Sequence, residues 1–198
     1  MSSRSNKKKA PVPCRRDEAP NAESFERIVH DYRTKYQEGE NKVLRFYALL
    51  PSLKKAIETA ALAKLPSGKR HPHQYRLRKS TLEEAKGRLL SAEAALRHSK
   101  TFDELFHVVK REIGGTWDIG ELMIYDTATR LGVHLGLEPE KVYLHSGTRA
   151  GASALGLGQG QEAIEVAELP EPLQQLQPHE IEDCLCIYKS DLQRLCGA

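Results

Sequence analysis

Several features that would narrow the class of this chain at once are missing. No apolar run approaches the roughly 18 residues that a membrane-spanning helix needs. The basic first residues are not followed by an apolar stretch, so no secretory leader is expected. The four cysteines (Cys14, Cys184, Cys186 and Cys196) form no recognisable disulfide framework, which points to a reducing, cytoplasmic setting. No segment alternates as a half-buried strand does, and no internal repeat is visible. Residues 147–152, Gly-Thr-Arg-Ala-Gly-Ala, lack a Gly-Lys-Ser/Thr ending and a preceding strand, which excludes a phosphate loop.

What remains is 198 residues with 39% hydrophobic and 29% charged content, enough for one core domain plus a tail. The net charge of +3 hides a strong asymmetry. Residues 1–16 hold six Lys and Arg and no acid, and residues 60–82 hold Lys64, Lys69, Arg70, Arg76, Arg78 and Lys79 and no acid. Residues 161–198 hold eight acids against Lys189 and Arg194. Such blocks fit a polyanionic partner for the front half, or a solubilising tail with an ordinary basic loop.

Residues 1–20 offer almost nothing to bury and read as a disordered basic tail. Residues 21–198 read as a single all-α domain. A first helix carries Phe25, Ile28, Val29, Tyr32 and Tyr36 and stops at Gly39. A short apolar helix follows over 43–50, and a third starts at Pro51 or Ser52. Ser80 or Thr81 is expected to cap a helix lined by Leu82, Ala85, Leu89, Ala92 and Leu96. Thr101 caps the next, whose stripe is Phe102, Leu105, Phe106, Val109 and Ile113. Small residues over 146–157 predict a tightly packed helix. Pro178 opens a last helix with Ile181, Leu185, Tyr188, Leu192 and Leu195 at helical spacing.

Helix 102–113, the turn 114–120 and helix 121–136 have the order and lengths of a helix-hairpin-helix unit. Such a turn uses glycine because the chain must reverse with φ values that other residues take at a cost. It also brings unpaired N–H groups at a helix N-terminus close to a phosphate. Gly115, Trp117, Ile119 and Gly120 are the candidate contacts. A plain αα-hairpin needs the same glycines for the turn alone, and Glu121 places a carboxylate where phosphate would sit.

The run from Phe102 to Leu157 resembles the helix-hairpin-helix part of the DNA glycosylase superfamily typified by endonuclease III. Its matching residues are Asp118-Ile119-Gly120, Thr127-Ala128, Val142-Tyr143-Leu144-His145, Arg149 and Leu155-Gly156-Leu157. The likeness implies an all-α scaffold on duplex or damaged, abasic DNA. It also departs from the pattern. Asp118 stands at the first hairpin glycine, Leu122 where the lyase-type enzymes carry Lys, and Tyr143 where an Asp stabilises the departing base's cation. A phenol ionises near pH 10 and supplies no such charge. The chain also resembles bacterial proteins of unassigned function with KRHPHQ, YDTA and VYLHSGT-like runs.

Three functional readings follow. The first is a DNA-binding protein without catalysis, using the hairpin, Arg149 and the cations and rings of Lys69, Arg70, His71, His73, Arg76 and Arg78. The second is an enzyme of the same scaffold in which Tyr143, His145 or Asp126 act on a flipped base, with His145 and Asp126 as an acid–base pair if they meet. In the alternative, His145 merely caps the following helix. The third is an interaction module that offers its acidic C-terminal helix to a protein. Trp117 is expected to plug the base of the hairpin. His71-Pro72-His73 alone is too short to define a metal site, so no metal and no cofactor are expected.

Overall fold

The apolar spacing at the start of the described chain produces one long rod in place of two helices. The computed structural model describes residues 22–196, and the tail read at 1–20 lies outside the described residues. The rod begins as α1 (Ala22–Tyr32), passes through a π-helical turn (Arg33–Gln37) and continues as α2 (Glu38–Ala48). Gly39, read above as a stop, lies inside α2. An exposed helical glycine costs only about 1 kcal/mol relative to alanine, less than the burial at either end of the rod returns. A π turn adds one residue to the helical path and rotates the buried face. So α1 buries Phe25, Ile28, Val29 and Tyr32 in one hydrophobic cluster, while α2 places Tyr47, Val43 and Phe46 against another.

That second cluster is built by α3 (Leu53–Ala61), α4 (Lys79–Ser91), α5 (Glu93–His98), α6 (Phe102–Ile113) and α7 (Glu121–Leu135). Ser52 caps α3 by accepting the Lys55 N–H at 3.2 Å. Helix α4 begins at Lys79, earlier than either expected cap, with Arg78 at the N-cap and Thr81 buried within the helix. At α6 the expected cap is present. Thr101 Oγ1 accepts the Glu104 N–H at 3.2 Å, and the Glu104 carboxylate accepts the Lys100 N–H at 2.7 Å. The whole predicted stripe of α6 is buried. Helix α7 ends at Gly136, whose φ of 71° is the left-handed conformation glycine takes cheaply.

The described residues are mostly helical, with 67% helix and 3% strand. The strand content, not expected from the sequence, is a two-stranded antiparallel ribbon of β1 (Val142–Tyr143) and β2 (Ala163–Ile164). Two residues per strand are too few to show alternation. Its side chains nevertheless alternate, Val142 and Leu144 entering the α1 cluster and Tyr143 the α7 cluster. The α1 cluster is completed by α8 (Ser146–Ala154), α9 (Pro178–Ile187) and α10 (Lys189–Leu195), the expected last helix being broken at Tyr188. The small residues of α8 serve close packing. A Cβ on Gly151 would overlap the backbone of Leu185 in α9. Helices α7, from one cluster, and α9, from the other, meet at a polar cavity.

Candidate functional site

The cavity takes its first wall from α7. Asp126 and Arg130 are one turn apart and pair at 3.0 Å, although Arg130 is only 5% exposed. A buried pair of this kind needs further hydrogen bonds to offset desolvation, and the basic loop supplies them. Pro72 starts a short 3₁₀ turn (Pro72–Gln74) that buries Gln74. The Gln74 amide donates to Asp126 Oδ2, and its carbonyl oxygen accepts from Arg130 Nη2 at 3.4 Å. Arg70 holds the loop in this shape by donating to the carbonyls of Tyr75 (3.2 Å) and Leu77 (2.5 Å). The stretch KRHPHQ, read as a basic loop, thus turns Gln74 inward and sets His71 and the exposed His73 at the rim of the cavity.

The remaining walls are Glu40 from α2 and His179, Glu182 and Asp183 from α9, around a volume of about 70 Å³. Carboxylates are crowded here. Burial raises the Asp183 carboxyl well above its usual range, and Glu182 and Glu40 push it further. Glu40 is raised by burial and then by Asp126. The His71 imidazole is pushed down to about 4, chiefly by burial and then by Arg130, so it is neutral at pH 7. Burial also lowers His179. A buried Arg130 Nη1 has no acceptor among the described residues.

His145 and Asp126 do not meet. His145 Nε2 is hydrogen-bonded to Glu182, and Thr148 Oγ1 donates to the same carboxylate at 2.6 Å. All three are buried, so the group ties β1 and α8 to α9 and presents no accessible nucleophile. His145 Nδ1 also accepts the Gly147 N–H at 3.2 Å, capping α8 as the simpler alternative held. Tyr143 lies on a different hollow of about 280 Å³, whose lining includes His145, Lys110, Glu121 and Arg149 but not Asp126. The Tyr143 hydroxyl donates to Asp103 at 2.8 Å, and its ionisation is pushed up by burial and by that carboxylate. The three candidate catalytic groups are therefore split between two places.

At the hairpin turn, Asp118 has a φ of 65°. It keeps the left-handed backbone that glycine would give, at a cost of about 1–2 kcal/mol. Gly120 is the N-cap of α7 and makes no side-chain cap bond, Gly115 is open to solvent, and Ile119 is buried. Trp117 does not plug the hairpin: it is 73% exposed, because Ile119 and Ile113 already fill that part of the core. Arg149 is not available to phosphate as expected. Its guanidinium donates to the carbonyls of Gln161 and Leu144, both at 2.7 Å, and lies 3.4 Å from Glu121.

Many surface cations elsewhere sit beside acids, as Arg27, Lys35, Lys42, Arg88 and Lys110 do, whereas Arg33, Arg45, Lys54, Lys100 and Lys189 are exposed without an ion pair among the described residues but are scattered along the chain. Lys64, Lys69, Arg76, Arg78 and Lys79 are exposed and form no ion pair among the described residues. The acids of the C-terminal helix do not neutralise them, because Glu180 and Glu182 are buried and Asp183 points to the cavity. For the same reason that helix does not present the acidic face expected to attract a protein partner. Tyr75 stands 62% exposed among these cations, with the Arg76 guanidinium over its ring at 5.4 Å.

The sequence reading missed Gln74, Glu40, His179, Glu182 and Asp183. The last three were legible as a set, since positions i, i+3 and i+4 share one helical face. Among the described residues no helix is long and apolar enough to cross a membrane. No protein-family model, curated protein or solved structure matches the chain.

Proposed function

We propose that this protein binds nucleic acid through the loop 64–79, with the hairpin turn 114–120 as a second contact. One observation carries the reading: five exposed cations without an ion pair among the described residues fall within the single loop 64–79, which also carries an exposed tyrosine with the Arg76 guanidinium over its ring. Unpaired Lys and Arg release counterions when they meet phosphates, and an exposed ring with a stacked guanidinium is a platform for an unpaired base. At the turn, the start of α7 without a side-chain cap and the left-handed Asp118 support a contact of the helix-hairpin-helix kind, with the exposed Trp117 beside it to touch a base or sugar. The glycosylase route of base excision has no support at its usual positions, where Leu122 and a neutral, hydrogen-bonded Tyr143 stand.

The test is fluorescence anisotropy with labelled single strand, intact duplex and abasic duplex, across salt. Binding should fall steeply with salt. Lys69→Ala/Arg76→Ala/Arg78→Ala should weaken all three substrates, and Gly120→Asp should weaken the duplexes more than the single strand. Absent or salt-insensitive binding removes the reading. Binding that survives the triple variant moves the contact away from the loop.

A further inference from the structure

We propose that His71, His73 and Asp126 form a binding site for one divalent transition-metal ion at the mouth of the α7–α9 cavity. One ligand atom from each lies within 4.8 Å of the other two. Ligands with metal bonds of about 2.0–2.2 Å stand about 3.3–3.6 Å apart in a tetrahedral set, so the side chains must close by up to about 1.5 Å, which rotation of the exposed His73 side chain can supply. Two imidazoles with one carboxylate suit zinc, iron, cobalt or nickel better than calcium or magnesium, which prefer oxygen.

The donors are also prepared for the task. The 3.4 Å approach of the His73 N–H to His71 Nδ1 is too long to lock the ring proton on one nitrogen. Asp126 accepts from Gln74 and Arg130 on Oδ2, which orients the carboxylate and leaves Oδ1 for a metal. Outer partners of this kind position metal ligands.

Two independent features of the cavity point the same way. It is lined by Glu40, Asp126, Glu182 and Asp183 against one arginine. That excess of carboxylate repels an anion and would be relieved by a cation. Arg130 Nη1, on a side chain 6% exposed, has no acceptor. A water, hydroxide or other oxygen ligand carried by the metal would supply one. Three protein ligands would leave coordination positions open, as in metal sites that activate water and unlike closed structural sites. The inference does not depend on the loop binding nucleic acid, since Lys69, Arg76 and Arg78 are not among the ligands.

The experiment uses the full chain, stripped with chelator, desalted, and titrated without nucleic acid. Zn²⁺ is followed by calorimetry, and Co²⁺ by its visible ligand-field absorption. One ion should bind per chain, with a cobalt spectrum showing nitrogen ligation. His73→Ala, at an exposed position that carries no core packing, should weaken binding by more than about 100-fold, and Gln74→Ala, which removes the bonds that orient Asp126 and Arg130, by about 10–100-fold with circular dichroism unchanged. Asp126→Asn completes the set. Should it fail to fold, the His71→Ala/His73→Ala double variant with unchanged circular dichroism decides alone. No saturable binding by the parent chain overturns the proposal. So does binding that the double variant retains, which would move the ion to the cysteines or the tail. Loss of metal binding with nucleic-acid affinity intact, or the reverse, separates this site from the loop reading.

Discussion

Gly151 gives the sharpest test of the packing that brings α8 and α9 together. Alanine is the better helix former, and in an exposed helix the change from glycine should stabilise by about 1 kcal/mol. Gly87 in α4 meets that condition: it is exposed, and an added Cβ would touch nothing within 4 Å. Gly151 does not. Its new Cβ would fall inside the carbonyl oxygen, carbonyl carbon and Cα of Leu185. These are backbone atoms and cannot rotate away, so the helices must separate. Overpacking costs about 1–3 kcal/mol, and a clash with backbone belongs at the upper end. Subtracting the helical gain leaves Gly151→Ala destabilised by about 2 kcal/mol. For a chain of this size 1 kcal/mol is about 2–4 °C. The expected shifts in Tm are thus a fall of about 4–8 °C for Gly151→Ala and a rise of about 2–4 °C for Gly87→Ala. Urea titration should move the two midpoints in opposite directions at a common m-value. If Gly151→Ala is as stable as the parent, α8 does not sit on Leu185 as described, and the wall that α9 presents to the cavity is misplaced.

Three further outcomes are expected. Neutralising Lys69, Arg76 and Arg78 together should reduce the slope of log affinity against log salt by about 2 to 3, since each phosphate contact contributes about 0.7–0.9; an unchanged slope in anisotropy titrations denies the loop its role. Asp183→Asn should stabilise the metal-free protein at pH 7 by about 1 kcal/mol or more, because it removes a charge from a crowded, buried place. The sign follows from the raised carboxyl: its stabilising effect is complete below the unfolded value of 3.8 and is lost as pH rises through the higher folded value, so the gain should vanish near pH 4 in urea titrations. The emission of Trp117, the chain's one tryptophan, should be water-like and readily quenched by acrylamide in the free protein, and shielded on duplex binding if the turn is a contact.

Local chemistry made some of this fold readable. The Thr101 cap, the complete apolar stripe of α6 and the left-handed Gly136 after α7 all act within a few residues of where they stand. What was hidden depends on distant partners. Gly39 reads as a stop until burial of both α1 and α2 outweighs it. Glu182 and Asp183 read as a solvated acidic face, because a carboxylate inside a protein makes sense only once His145, Thr148 and Tyr32 are there to bond it. His-Pro-His is uninformative by itself. Its third partner, Asp126, lies more than fifty residues away and reaches it through a glutamine that no periodicity marks.

The π-helical turn has a consequence for how this chain can change its length. Residues 33–37 carry no buried side chain, and by exposure alone an insertion or deletion there would look harmless. Each residue advances a helix by about 100°. Because a π turn absorbs one extra residue, losing one there would restore regular α geometry with Phe25, Ile28, Val29 and Tyr32 near their present phase, whereas gaining one would swing them round toward water while α2 stayed seated. This solvent-facing segment thus acts as a phase adjuster between two cores on a shared axle, and it should accept the loss of one residue far better than the gain of one.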